Sequence, residues 1–193
     1  NLDVNIKNLS SSIQIMGQQL CSSPTIGFLL NYNFNKSFDS IFENIIIDIE
    51  QNYTSNNSDE SNSIKLDRMI NLARDRGSTV YTSSKFSNNI CIIVSKNQSA
   101  FNDNDTNNLL NIHERRNFIE IICVENFTEI YKIMNKLFTN YSYKETKKIQ
   151  TLLSFTDKTF DSEIHQLASL IGAYRLIDSN YVLRRHPMEW FDN

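Results

Sequence analysis

The amino-acid sequence predicts an α/β domain with three layers, in which helices cover a mostly parallel sheet, followed by a small helical tail. Short apolar runs have the length and composition of buried strands. Two of them are followed by amphipathic helical patterns, and strand–helix repeats are typical of parallel α/β sheets. After Tyr143 no strand pattern follows. The apolar runs occupy residues 26–30, 90–94 and 118–124.

The first part of the predicted domain begins with residues 1–23, a mixed segment that we expect to form a strand or a packed arm. A short apolar strand at 25–31 follows, and residues 35–37 give an N-cap signal for the next helix. One face of this helix is apolar at helical spacing. Residues 51–63 are polar and of low complexity, which predicts a loop. The apolar face contains Phe38, Ile41, Phe42, Ile45, Ile46 and Ile49.

The remaining elements of the domain alternate between strands and helices, and right-handed crossovers would make the later strands parallel. In order, we expect a helix at 64–75 ended by Gly77, strands at 80–81 and 90–94, a short helix after 102–106, a strand at 118–124 and a helix at 127–138.

The tail has a different character, because its apolar residues suggest only short helices. We expect these at 147–153, 160–171 and 174–178. The predicted domains are therefore an α/β domain at 1–143 and a helical tail at 144–193. A tail of this size buries little core alone, so it must pack on the domain, on a partner or on both.

Composition and charge exclude several classes of protein. The 193 residues carry a net charge of −3, and the pI is about 5.6, so strong electrostatic binding of nucleic acid by the whole chain is not expected. Three cysteines without a close pair argue against a disulfide framework or a zinc site, and indicate a reducing compartment. No apolar run is long enough to span a membrane. The chain begins at Asn1, so we expect a piece of a longer protein.

No catalytic or metal-binding set is evident. The acidic and basic cluster at 114–116 lacks the converging carboxylates that a metal-dependent nuclease needs, and a solvated helix end explains it better. The three histidines are far apart in sequence and have no metal-ligand spacing. We expect no catalytic residue, metal, cofactor or small-molecule substrate.

Basic residues near the end of the chain are the candidate DNA contacts. Arg175, Arg184 and Arg185 lie near aromatic residues, and Lys148 belongs to a second basic cluster. Basic groups beside aromatic rings suit a phosphate backbone and an exposed base. The alternative is an ordinary surface patch beside a packed Trp190.

Apolar and aromatic residues beyond the needs of a small sheet suggest a partner surface, although such faces are more often core. The candidate interface residues are Tyr131, Phe138, Tyr141, Leu167, Ile171 and Trp190.

The strand at 118–124 and the helix at 127–138 resemble the last strand and helix of the nuclease domain in the XPF family of structure-specific DNA endonucleases. Residues 152–158 and 164–179 resemble a first helix-hairpin-helix unit of that family. The hairpin at 156–158 lacks the family's glycine, and the Gly-Asp … Glu-Arg-Lys-x-x-x-Asp signature is absent.

This resemblance implies a Rossmann-like, nuclease-like domain with a helix-hairpin-helix tail. It further implies a non-catalytic pseudonuclease subunit, nuclear, that forms an obligate heterodimer with a protein of similar fold. Such a complex would bind branched DNA in meiotic recombination and crossover formation. Two alternatives stay open: a protein-interaction module without DNA binding, and a small metal-dependent nuclease with an unrecognised site.

Overall fold

The computed structural model describes residues 7–11, 25–30, 39–52, 60–83, 90–100, 118–139, 149–154 and 160–178. Residues 7–11 form a short helical turn. The longer elements, in chain order, are β1 (Ile26–Leu30), α1 (Asp39–Asn52), α2 (Glu60–Asp75), β2 (Thr79–Thr82), β3 (Cys91–Lys96), β4 (Phe118–Val124), α3 (Phe127–Thr139), β5 (Ile149–Ser154), α4 (Asp161–Leu170) and β6 (Ala173–Asp178).

The first four strands form one mixed sheet in the order β1-β4-β3-β2. β4 pairs in parallel with both β1 and β3, and β2 joins the edge as the antiparallel partner of β3. The central strand β4 is buried along its whole length, as expected for a parallel strand covered on both faces. The predicted α/β class and the mostly parallel sheet are therefore confirmed.

Helix α1 covers one face of this sheet. Its apolar side chains recur at helical spacing, as predicted from the sequence, and pack on alternate residues of β3 and β4. Leu9 in the short turn at 7–11 packs against the same cluster, so this part of the predicted arm lies on the domain. The buried members of the cluster are Phe42, Ile45, Ile46, Ile49, Ile90, Ile92, Ile119 and Ile121.

The opposite face carries two apolar clusters side by side. Helix α2 packs over Cys91, Ile93 and Phe118, whereas α3 and α4 pack over Ile122 and Val124. Helices on both faces of one sheet give the predicted three layers.

The predicted helical tail is wrong in two of its three elements. Helix α4 forms close to the expected residues, but the segments expected to be helical at 147–153 and 174–178 contain the parallel strands β5 and β6. The chain from β5 to β6 is thus a strand–helix–strand unit in place of a helical hairpin. Short apolar runs fit a buried strand as well as a helical turn, and the sequence pattern did not separate the two.

Two boundaries also differ from the predictions. Helix α1 continues to Asn52 and α2 begins at Glu60, so both ends of the predicted polar loop at 51–63 are helical. The short helix predicted after 102–106 lies outside the described residues. Within the described ranges, no helix is both long and apolar enough to cross a membrane.

Candidate functional site

Glu120 lies in the middle of the sheet, on the central strand β4. Strand residues alternate between faces, so Glu120 shares a face with Phe118 and Ile122 and lies between the two clusters on that side. Its side chain is fully buried, and it is the single charged residue buried within the described part of the chain. A buried carboxyl needs hydrogen-bond donors, and its surroundings therefore define a candidate site.

Three donors reach this carboxyl from the end of β3 and the turn after it. The Ser95 hydroxyl donates to Oε1 over 2.7 Å, and the Ser99 hydroxyl donates to Oε2 over 2.6 Å. The backbone N–H of Ala100 donates to Oε1 over 2.6 Å. The Ser78 and Ser95 hydroxyl oxygens are 3.0 Å apart. Because the Ser95 hydroxyl donates its proton to Glu120, the Ser78 hydroxyl must be the donor to Ser95. A chain of two hydroxyls therefore leads from the half-buried Ser78 to the carboxyl.

The backbone geometry of residues 97–100 brings these donors back over the sheet. Asn97 follows β3 with a positive φ of 50°, a conformation that asparagine tolerates better than most residues. Its N–H donates to the carbonyl of Cys123 over 2.9 Å, which fixes the start of the turn at the end of β4. Ser99 and Ala100 then contact Glu120 deeper in the sheet.

Burial is the largest influence on the acidity of Glu120 and raises its pKa above the ordinary value of 4.5. The hydrogen bonds from Ser99, Ala100 and Ser95 favour the carboxylate and partly offset this effect. No charged group contributes to the shift among the residues that the structure describes. Among the described residues, the polar contacts of this buried carboxyl are therefore hydrogen-bond donors and not charged groups.

The two cysteines that the structure describes are poor nucleophiles. Cys91 and Cys123 are fully buried. Burial raises the pKa of the Cys91 thiol to about 12 and that of the Cys123 thiol to about 11. Since the thiolate is the reactive form, both behave as small apolar core residues at neutral pH. Cys21 lies outside the described residues, five positions before β1 in sequence.

The carboxyl ends of β1 and β4 form a second candidate site. Helix α1 leaves β1 toward one face and α3 leaves β4 toward the other, although the two strands are neighbours. Ligands of open α/β sheets bind at such switch points. Here the N-terminus of α3 is occupied, because Asn126 Oδ1 accepts from the N–H of Glu129 over 3.1 Å. Glu129 Oε2 accepts from the N–H of Glu125 over 2.8 Å, which adds a carboxylate to this end of the helix.

The described residues do not assemble a metal site, since no three of their His, Cys, Asp and Glu side chains come together. The described residues also do not place the predicted DNA contacts close to one another. Arg175 is half-buried on β6, where it pairs with Thr151 of β5. The remaining candidates, Lys148, Arg184 and Arg185, lie outside the described residues, as do Tyr141 and Trp190.

Two of the predicted interface residues have their side chains in the core. Leu167 and Ile171 belong to the cluster that joins α4 to β4 and α3, so they hold the strand–helix–strand unit on the domain. Tyr131 is exposed on α3, and Phe138 lies on the same helix. The heterodimer, the binding of branched DNA and the nuclear location stay predictions, which none of these contacts tests.

Sequence analysis did not identify Glu120 as a site residue. One signal was present, because a glutamate interrupts an otherwise apolar strand at 118–124. Its partners were not predictable, since Ser95, Ser99 and Ala100 are 20 to 25 residues earlier in the chain.

Comparison with known proteins finds likeness in structure only. No family model and no curated protein matches the sequence. A NAD-dependent benzaldehyde dehydrogenase from Corynebacterium glutamicum matches 95% of this chain with a TM-score of 0.58 and 11% identity. A betaine aldehyde dehydrogenase from Staphylococcus aureus, solved with a BME-modified cysteine, matches 93% with a TM-score of 0.56 and 9% identity. The chain spans 39% and 35% of their lengths, respectively.

These likenesses establish the fold and correct one prediction. The expectation of a protein without catalytic activity rested on the missing nuclease signature. The two solved structures compared above are both dehydrogenases, which overturns that inference. The missing signature argues against nuclease chemistry only, and it leaves open the reactions that other enzymes with this fold perform.

Proposed function

We propose that this chain belongs to an enzyme that oxidises aldehydes by way of a cysteine thiol. The observation that carries the proposal is the fold: 95% of the chain superposes on a NAD-dependent benzaldehyde dehydrogenase, and a second aldehyde dehydrogenase matches almost as much. Because the chain spans about two fifths of those enzymes, the activity is proposed for the whole protein and not for the described domain alone.

Cys21 is the thiol that we assign to the reaction. The other two cysteines are buried with raised pKa values, so neither supplies a thiolate at neutral pH. One of the structural neighbours carries a cysteine modified by BME, so a thiol of that protein reacts with small molecules. In our proposal the Cys21 thiolate attacks the aldehyde carbonyl carbon, so that a C–S bond forms while the carbonyl π bond breaks and leaves its electron pair on oxygen. Oxidation would then need a hydride acceptor, which is the chemistry that NAD⁺ supplies when bound.

The described residues do not fit a nicotinamide dinucleotide. Phosphates of such cofactors bind at free helix N-termini or glycine-rich turns. The N-terminus of α3 is capped by Asn126, and the carboxylate of Glu129 places a negative charge there that disfavours a phosphate. No glycine-rich loop follows β1, β3 or β4 in the sequence. We therefore derive no step through the cofactor.

The test is turnover by the full-length protein with a panel of aromatic and aliphatic aldehydes and NAD⁺, followed by NADH absorbance. Cys21→Ala should lower kcat by on the order of 10³-fold or more, as loss of a covalent nucleophile does. Cys123→Ala is the matched control, because it removes a thiol that the structure buries. Equal activity in both variants would remove Cys21 from the reaction. Absence of turnover in the wild type, with every aldehyde, would reject the proposed function.

A further inference from the structure

Two exposed apolar side chains lie on opposite sides of the domain. Ile47 on α1 is 46% exposed, and Tyr131 on α3 is 37% exposed. Helix α1 packs on one face of the sheet and α3 packs on the other, so the outer sides of the two helices face away from each other. In the described part of the chain, the third large apolar residue that is exposed is Leu170, which ends α4. Among the described side chains, α1 and α3 thus each expose one large apolar group.

The outer side of α1 is acidic around Ile47. The helix contains four carboxylates and no lysine or arginine. Two of the carboxylates, Asp39 and Glu50, accept hydrogen bonds from hydroxyl groups of β2 and of the residue that follows it. Glu43 is exposed and lies one helical turn before Ile47 on the same side of the helix. We call Glu43 and Ile47 the α1 surface.

The outer side of α3 is basic around Tyr131. Lys132 follows it directly, Lys136 lies one turn further along the helix, and both lysines are exposed. The single carboxylate of α3, Glu129, accepts from a backbone N–H at the start of the helix. Among the residues of this helix, the exposed charge around Tyr131 is therefore positive. We call Tyr131, Lys132 and Lys136 the α3 surface.

The two surfaces complement each other in charge. Single exposed apolar residues are common on protein surfaces and need no partner. Here, however, each apolar side chain stands beside charge of one sign, and the two signs are opposite. We propose that two copies of this chain bind each other through these surfaces, with the α1 surface of one copy on the α3 surface of the next. In this contact Ile47 packs against the ring of Tyr131. Glu43 lies opposite Lys132 and Lys136.

The contact joins two different surfaces and is therefore of the head-to-tail kind. Because the surfaces lie on opposite sides of the domain, a dimer still has one unused α1 surface and one unused α3 surface, and further copies can add. The helices contain 14 and 13 residues and are each about 20 Å long. A contact along them is smaller than the interface of a permanent dimer, so the association is reversible and depends on concentration. It does not depend on the proposed enzymatic activity.

The experiment is sedimentation velocity of the full-length protein over a series of concentrations. We expect the weight-average mass to rise with concentration, to exceed that of a dimer, and to fall when salt screens the charges. A mass that stays monomeric up to the solubility limit would overturn the proposal. So would a mass that stops at the dimer, because that is the behaviour of a contact between two identical surfaces.

Reversal of charge on each surface tests the pairing directly. Glu43→Lys places like charges opposite each other in every contact between identical copies, and the double variant Lys132→Glu/Lys136→Glu does the same. Each variant alone should associate about tenfold more weakly than the wild type. In an equimolar mixture, the new lysine of one variant faces the new glutamates of the other, and the reverse contact keeps the wild-type charges. The mixture should therefore recover the wild-type association, and failure to recover it would refute the pairing.

Matched charge reversals on α2 separate this contact from an effect of net charge. Asp75→Lys and the double variant Arg68→Glu/Arg74→Glu make the same changes of charge at exposed positions that belong to neither surface. Both should associate as the wild type does, and equal weakening in them would contradict a specific contact.

The apolar part of the contact has its own test. Ile47→Ala removes the apolar side chain without a change of charge, and it should weaken the association by about fivefold or more. The side chain is exposed, so the variant keeps the fold. Association of Ile47→Ala at the wild-type level would show that the two surfaces do not meet at this residue and would overturn the proposal.

Discussion

The hydroxyl of Ser95 donates to the carboxyl of Glu120 over 2.7 Å, although the sheet register places Ser95 beside Ile122. The two side chains lie on one face of neighbouring parallel strands and meet along a diagonal. This contact joins the end of β3 to the middle of β4. Ser99 and Ala100 of the turn at 97–100 bond to the same carboxyl, so Glu120 connects β3, β4 and this turn.

We predict that the contribution of Glu120 to the stability of the folded chain falls as pH rises above 4.5, the ordinary pKa of glutamate. Burial raises the folded-state pKa of Glu120, so between the two values the folded state binds more protons than the unfolded state. The contribution of this group to stability is complete below 4.5 and is lost as pH rises through the folded pKa. Urea unfolding at several pH values measures it, and Glu120→Gln should flatten this part of the profile. A wild-type profile that the substitution leaves unchanged would be evidence against a raised pKa.

The core face of α1 gives a second prediction. Ile49 is fully buried between α1 and the sheet, whereas Ile47 on the same helix is 46% exposed. Ile49→Ala should lower the free energy of unfolding by about 3 kcal/mol, through lost burial and a cavity. Ile47→Ala should change it by less than about 0.5 kcal/mol. Similar effects of the two substitutions in chemical denaturation would show that α1 does not pack as described.

This face of α1 is also where the sequence was most informative. Six apolar residues at helical spacing specify which side of the helix is buried, and the structure buries Phe42, Ile45, Ile46 and Ile49 together. The continuous apolar runs of β3 and β4 predicted buried strands equally well, because a strand covered on both faces does not alternate between apolar and polar residues.

The sequence was less informative where long-range contacts decide the secondary structure. β5 and β6 are short, and their apolar residues fit either a strand or a helical turn. Their mutual parallel pairing, which α4 makes possible, selects the strand. Glu120 is similar, since its role depends on donors from a turn whose path no local pattern specifies.

The cysteines give a third prediction. Buried thiols with pKa values of about 12 for Cys91 and about 11 for Cys123 should resist alkylation in the native protein. Iodoacetamide at neutral pH, followed by mass spectrometry, should modify Cys21 first, and all three residues should react after unfolding in denaturant. Cys21→Ala should abolish the fast native reaction. Rapid native labelling of Cys91 or Cys123 would contradict their burial and the assignment of the proposed nucleophile.

The last prediction concerns two glycines that the structure treats differently. Gly77 ends α2 with a φ of 78°, its N–H bonds to the Arg74 carbonyl, and the next N–H bonds to the Ala73 carbonyl. An L side chain is strained in this conformation, so Gly77→Ala should cost about 1 kcal/mol of stability although the space around it is open. Gly27 in β1 is the control, because an added Cβ there would meet Ile121 Cγ1 at 3.5 Å, an ordinary contact. Thermal unfolding of both variants measures the difference, and a Gly77→Ala protein as stable as the wild type would contradict this helix end.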